Sequence, residues 1–219
     1  LASTSLTIRA DEYAVRAAAW NQAHTVKDAD ALSGSDPAEM LRHHQVEHLV
    51  RPGARVLDIG VGLGYAARMF RERECIVDAL DIAEKAEAQV RPWIRNFYLH
   101  DRLDLLPVAE YDLAVSHLVA QHMAEPDLLA QVVSVARALH PGGMFSLHLA
   151  GSTIDSENNW DRPDIPPGFD GRMCRTPAYM LDIILKLLPP GYWANRLGRV
   201  MDWPEFKSYW FWIHIVRAK

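Results

Sequence analysis

The chain predicts an α/β protein: a mostly parallel sheet with helices on both faces. Two observations carry this. Short apolar runs with strand character alternate with segments of helical spacing from residue 55 to residue 149. The first run, Val56 to Ile59, breaks into glycines at positions 60, 62 and 64 before helical spacing resumes at Tyr65. That order is strand, tight turn, helix, the start of a unit whose next strand lies parallel to the first.

The elements follow in order. Residues 1–35 are polar and alanine-rich, with an amphipathic stretch from Tyr13 to Trp20 and a turn signal at 33–35, and read as an amino-terminal cap. Asp36-Pro37-Ala38-Glu39 supplies an N-cap, a proline in the first turn and an acid three residues on, which predicts a helix to about Val50, stopped by Pro52-Gly53. Strand 55–59, helix 65–73, strand 75–80 and helix 83–90 come next. A short strand includes Phe97 to Leu99, residues 100–107 form a loop, and Tyr111 to Ser116 is a buried strand. Pro126 opens a helix in which Leu128, Leu129, Val132, Val133, Ala136 and Leu139 recur on one face, ended by His140-Pro141-Gly142-Gly143. Strand 144–149 leads into residues 151–176, rich in Gly, Pro, Asp and Asn, whose length predicts a substrate lid. Helix 177–188 and strands 192–200 and 209–217 complete one domain over residues 1–219. The tryptophans at 203, 210 and 212 read as core packing.

Composition narrows the function. The 219 residues are 49% hydrophobic and 23% charged, ordinary for a globular domain with a sizeable core. No apolar run is long enough to span a bilayer and no signal core opens the chain, so a cytoplasmic location without membrane partners is the expectation. Two cysteines, Cys75 in a strand and Cys174 in a polar loop, suit unpaired thiols. With 23 basic residues dispersed among 28 acidic ones and a net charge of −5, the chain supplies no continuous basic surface for a phosphate backbone, and nucleic acid is not expected as a partner, a local patch aside.

The glycine turn selects the ligand. Glycine backbone allows close approach of a ligand, and Leu80-Asp81-Ile82 ends the next strand with an acid spaced to hold ribose hydroxyls. Asp58 stands at the end of the first strand, where a carboxylate repels a pyrophosphate and attracts a cation. A strict dinucleotide fingerprint from Gly60 fails at Tyr65, although a looser one from Gly62 to Ala67 fits. Asp58 could also simply cap the next helix, and the glycines could serve only the turn.

Taken together, Asp58 with Gly60, Gly62 and Gly64, Asp81, the Tyr111–Ser116 strand and Leu139-His140-Pro141-Gly142-Gly143-Met144-Phe145 resemble the class I S-adenosylmethionine-dependent methyltransferases, over residues 38–217. The resemblance implies a Rossmann-like seven-stranded, mostly parallel sheet with an antiparallel last strand. It implies S-adenosylmethionine as cofactor, held by Asp58 and the glycines at its methionine side, Asp81 at ribose, Ile82 on adenine, Asp101 and Arg102 near the adenine amino group, and Ser116 and His117 at its border. Trp20 is a cofactor candidate and Tyr13 a substrate candidate from the cap that closes over the site in small-molecule members.

The acceptor is less legible. Methyl transfer needs chiefly proximity and in-line alignment; where a proton must leave, His148 or His117 is the expected general base, and each could equally be a structural histidine. Trp160, Arg172 and Arg175 are the substrate-binding candidates of the lid, against a rival reading as solvated loop residues. His44-Gln45-Val46-Glu47-His48 matches an inverted zinc-protease pattern, but a solvated helix face accounts for it, so no metal is expected. The expected activity is transfer to an oxygen, nitrogen or carbon of a small polar metabolite, natural-product or sugar precursor. The alternatives are a protein or RNA methyltransferase and a cofactor-binding regulatory subunit without activity.

Overall fold

The computed structural model describes residues 10–26, 36–152, 175–203 and 208–219. Seven strands form one sheet: β1 (Arg55–Ile59), β2 (Ile76–Asp81), β3 (Phe97–Leu99), β4 (Tyr111–Ser116), β5 (Leu139–Ser152), β6 (Tyr192–Trp203) and β7 (Ser208–Arg217). Their spatial order is β3-β2-β1-β4-β5-β7-β6. β1 through β5 pair in parallel, whereas β7 runs antiparallel to both of its neighbours, β5 and β6. The predicted sheet is therefore the observed one.

Helices α1 (Ala10–Val26), α2 (Pro37–His44), α3 (Tyr65–Glu72), α4 (Ala86–Val90), α5 (Glu125–Ala138) and α6 (Pro177–Leu187) flank it. Successive residues of a strand point to opposite faces, and here both faces are apolar. Leu57, Ile59, Leu80 and Ala114 join Leu128, Val132 and Val135 of α5 and Met180 and Ile184 of α6 in one core. Val56, Val77, Ala79, Leu113 and Val115 join Met40 and Leu41 of α2 and Ala67 and Phe70 of α3 in the other. β1 and β4 are neighbours although β1 connects onward to β2, so the strand order reverses between them. That crevice, at the carboxyl ends of the strands, is where open α/β sheets bind ligands.

Two local departures from the sequence reading matter for the site. α2 stops at His44 instead of reaching Val50: Gln45 turns left-handed (φ 54°), and its N–H closes on the carbonyls of Arg42 and Leu41. The turn drives Val46 into the core. A short 3₁₀ turn, Glu47–Leu49, follows, with His48 exposed. The histidines at 44 and 48 thus share no helix face, and the zinc-protease pattern dissolves. The second departure is at Pro141-Gly142-Gly143, which is a bulge within β5, the pairing shifting between Tyr111/Leu139 and Leu113/Met144. Gly143 is needed there because a Cβ would lie 2.5 Å from the Tyr111 carbonyl oxygen.

Candidate active site

A cavity opens at the carboxyl ends of β1, β2 and β4, and its floor is the glycine turn. Asp58, Gly60, Gly62, Asp81, Ile82, His117, Trp20 and Tyr13 all line it. Gly60 has φ +70°, and a Cβ on it would stand 2.1 Å from Cγ2 of Val119, so the turn closes against the segment that follows β4 only without a side chain. Gly64 acts differently. It is buried as the left-handed N-cap of α3, and its Cβ would meet Val90 and Trp93, so it permits packing beneath the cavity instead of touching a ligand.

The two acids at the strand ends are buried. The Ala67 N–H favours the charged form of Asp58, yet its Oδ2 has no hydrogen-bond partner among the described residues. Burial, reinforced by the Asp81 charge, raises its carboxyl to about 7. Burial also raises Asp81, opposed by hydrogen bonds from backbone N–H groups: Ala83 N donates to Oδ1 at 2.9 Å and Gly62 N to Oδ2 at 3.2 Å. Each Asp81 oxygen keeps a further lone pair for a hydroxyl donor. Two half-satisfied carboxylates in an apolar crevice form a site for a ligand carrying a cation and a diol.

α1 straps the cavity. Its Asn21 Oδ1 accepts the Lys85 N–H at 3.0 Å, the carbonyl of His24 accepts from Gln89 at 3.1 Å, and Arg16 pairs with Asp127 of α5 at 3.1 Å. The strap presents Tyr13, which stacks on His100 with ring centroids 6.0 Å apart, and Trp20, edge-on to His122 at 5.5 Å. His100 takes the wall position that the sequence reading gave to its neighbours. Asp101 and Arg102 are exposed and do not line the cavity: the Asp101 N–H donates to the Tyr13 hydroxyl at 3.0 Å, and Arg102 pairs with Asp104.

Behind the opposite wall three imidazoles meet. His44, at the end of α2, places Nε2 3.0 Å from Nδ1 of His117 and Nδ1 2.7 Å from the Ser146 hydroxyl. His148 of β5 stacks on His117 at 4.7 Å and on Trp212 at 4.8 Å, and its Nδ1 accepts the Leu118 N–H at 3.3 Å. One nitrogen from each of the three histidines lies within 4.8 Å of the others, the one group among the described residues able to hold a metal. Burial drives His117 down to about 4 and His44 well below its usual value, the neighbouring histidines adding to the latter, so both rings are neutral at neutral pH. Of the three, only His117 lines the cavity; His148 stands behind it, and Ser116 is buried beneath.

Arg175 departs furthest from expectation. It is 1% exposed, does not line the cavity and donates to the carbonyls of Ala120, at 2.6 Å, and Met123. Its charge is used to hold the turn after β4 in place, leaving no ion-pairing face for a substrate. Trp160, Arg172 and most of the 151–176 stretch lie outside the described residues, as do Cys174 and the side chain of Trp203. His122, which like His117 and His148 stands just beyond a strand end where open sheets gather ligands, does line the cavity, whereas His24, Met40, His100, Leu118, Met123, Gln131 and the Arg16–Asp127 pair are among the lining residues that the sequence reading missed. No short motif marks them.

Residues 56–143 match the family described as methyltransferase domain. Malonyl-[acyl-carrier protein] O-methyltransferase of Serratia marcescens is 35% identical over 153 residues, 68% of this chain and 58% of that protein. The protein of the same name from Enterobacter lignolyticus is 31% identical over 146 residues, 64% of this chain and 53% of its own. The chain thus spans somewhat more than half the length of these curated relatives. Among solved structures, Burkholderia thailandensis 1,6-didemethyltoxoflavin-N1-methyltransferase, with its substrate and S-adenosylhomocysteine bound, superposes with a TM-score of 0.70 over 97% of this chain and 92% of that one, at 16% identity. Magnesium protoporphyrin IX methyltransferase from Synechocystis gives 0.59 over 83% and 82%, at 19% identity.

Proposed function

We propose that this chain, which belongs by domain match and fold with the class I S-adenosylmethionine-dependent methyltransferases, methylates an oxygen of a small polar acceptor bound at the His117 wall. The observation that carries the cofactor reading is Asp58: a buried carboxylate beside a side-chain-free turn, with one oxygen lacking a hydrogen-bond partner among the described residues. A diphosphate would be repelled there, whereas an ammonium would neutralise it.

When bound, S-adenosylmethionine supplies a methyl group already activated on a sulfonium. The chain's own residues have four tasks. Asp58 and the Gly60–Gly62 backbone hold the cationic end, Asp81 accepts from the ribose hydroxyls, Ile82 packs on the base, and Tyr13 and Trp20 exclude water from above. Alignment then supplies most of the rate. His117, the histidine of the cluster that reaches the cavity wall, is the group placed to receive an acceptor's proton, with His148 stacked behind it. Burial keeps its lone pair available at neutral pH but also makes it a weak base.

The O-methyltransferase names of the relatives favour an oxygen acceptor, a carboxylate among the possibilities. A second reading, an acyl group presented on a carrier protein, draws on the same names. Calorimetry with S-adenosylhomocysteine, S-adenosylmethionine and NAD tests the cofactor, and radiolabelled methyl transfer to free small carboxylic acids and to malonyl carrier protein tests the acceptor. Binding of S-adenosylhomocysteine with transfer to a free acid is the expected result. Tight NAD binding without response to the methyl donor would overturn it.

A further inference from the structure

We propose that His44, His117 and His148 bind a single divalent transition-metal ion of the zinc type, seated against the acceptor end of the cavity. The three rings come from the end of α2, the loop after β4 and the middle of β5, and one nitrogen of each lies within 4.8 Å of the other two. Tetrahedral zinc with metal–nitrogen bonds of about 2.0–2.1 Å requires its ligand nitrogens about 3.3 Å apart. The His44 Nε2 to His117 Nδ1 separation of 3.0 Å already meets that within a few tenths of an ångström.

The surroundings are those of a ligand set. Ser146 Oγ, 2.7 Å from His44 Nδ1, can accept that nitrogen's proton and leave Nε2 as the donor atom, the outer-shell contact that metal-bound histidines characteristically make. His214 Nε2 donates to the carbonyl of His44 at 2.8 Å and fixes the backbone that carries the ring. Trp212 lies flat on His148, its plane only 5° away, and holds that ring from behind. Two features oppose the site. His148 lies nearly parallel to His117, with 13° between the planes, so one of these rings must turn before a single ion can lie in the plane of both. The Leu118 N–H on His148 Nδ1 must be given up, or its ring turned, for the third nitrogen to converge; at 3.3 Å it is the longest of these bonds.

Three imidazole nitrogens select a borderline cation over magnesium or calcium, which prefer oxygen. A three-histidine set leaves a fourth position open, and because His117 lines the cavity that position faces the ligand space. An acceptor oxygen bound there would be activated by the cation instead of by a proton moving onto His117. That role rests on the methyltransferase reading; binding of the metal does not.

The test uses the tag-free chain, stripped with chelator, reloaded with zinc, desalted and assayed for metal content, with cobalt(II) as a spectroscopic substitute. One zinc per chain and the visible bands of tetrahedral cobalt bound to nitrogen are expected. His44→Ala, or His44→Gln should the first not fold, is expected to lose both at least tenfold. His48→Ala, an exposed neighbour, should retain them. S-adenosylhomocysteine calorimetry on the same samples separates the two readings. Cofactor binding with no more zinc in the parent chain than in the His44 variant overturns the metal site alone, as does zinc retained undiminished by the variant. Zinc binding without cofactor binding instead overturns the methyltransferase reading.

Discussion

Asp58 and Asp81 are buried together at the carboxyl ends of adjacent strands, and the Asp81 charge adds to burial in raising the Asp58 carboxyl to about 7. Two buried carboxylates so close repel one another, and the arrangement suits a ligand that brings a positive charge.

Cofactor affinity should therefore depend on pH. Asp58 in the free chain is charged above about 7 and protonated below, and a bound ammonium favours the charged form. Affinity for S-adenosylmethionine is expected to fall as pH drops through 7, approaching tenfold per unit below it. Calorimetry from pH 5.5 to 8.5 in matched ionic strength checks this, where pH-independent binding would contradict it; the bounds are roughly those set by the shift.

Asp58→Asn should separate stability from binding. The folded value of about 7 lies above the ordinary 3.8, so the stabilising proton is fully present below about 4 and lost as pH rises through 7. The variant is expected to bind S-adenosylhomocysteine at least tenfold more weakly, yet to exceed the parent's unligated stability by roughly 2–4 kcal/mol above pH 7. Urea midpoints at acid and alkaline pH measure the difference, which should vanish at the acid end.

Gly60→Ala tests the closed turn. The new methyl would stand 2.1 Å from Val119 Cγ2 at a φ of +70°. A loss of about 2–4 kcal/mol is expected from overpacking plus backbone strain, with weaker cofactor binding as the turn moves. An unshifted melting temperature would show that the Val119 loop yields freely.

His117→Gln should leave S-adenosylhomocysteine binding within about threefold while lowering kcat for methyl transfer by roughly 10²-fold, if the ring, which lines the cavity, acts on the acceptor as proposed. A change confined to KM would instead mark His117 as a binding group.

Arg175→Met should destabilise the fold without changing acceptor selectivity. It removes two charge-assisted hydrogen bonds, one to the carbonyl of Ala120, which keeps the Met123 N–H, and one to the carbonyl of Met123, an expected loss of about 2–4 kcal/mol by denaturant titration. Arg175→Lys should recover only part of this, since one ammonium cannot span both carbonyls in the guanidinium's planar geometry. Altered substrate preference with unchanged stability would return Arg175 to the acceptor site.

The sheet and half of the site were legible in the sequence because their causes are local. Apolar runs with strand and helix periods predict elements that bury both sheet faces, and Asp58, Gly60, Gly62, Asp81 and Ile82 occupy consecutive strand ends whose position follows from the strands themselves. Gly64 shows the limit of such reading: its spacing is that of a ligand-touching glycine, but Val90 and Trp93 pack where its side chain would be.

The other half required the folded chain. Nothing near His44 signals that it will meet His117 and Ser146, 73 and 102 residues away, and the pattern that did include it paired it with His48, which one left-handed residue at Gln45 turns to solvent. Arg175 read as a substrate anchor by its neighbours in sequence and proved a buried clamp by its neighbours in space. Sequence alone thus determined the sheet and the glycine-turn end of the cavity, where backbone conformation and periodicity dictate position. Tertiary packing decided the histidine end, where side chains converge from distant segments and no local pattern records the meeting.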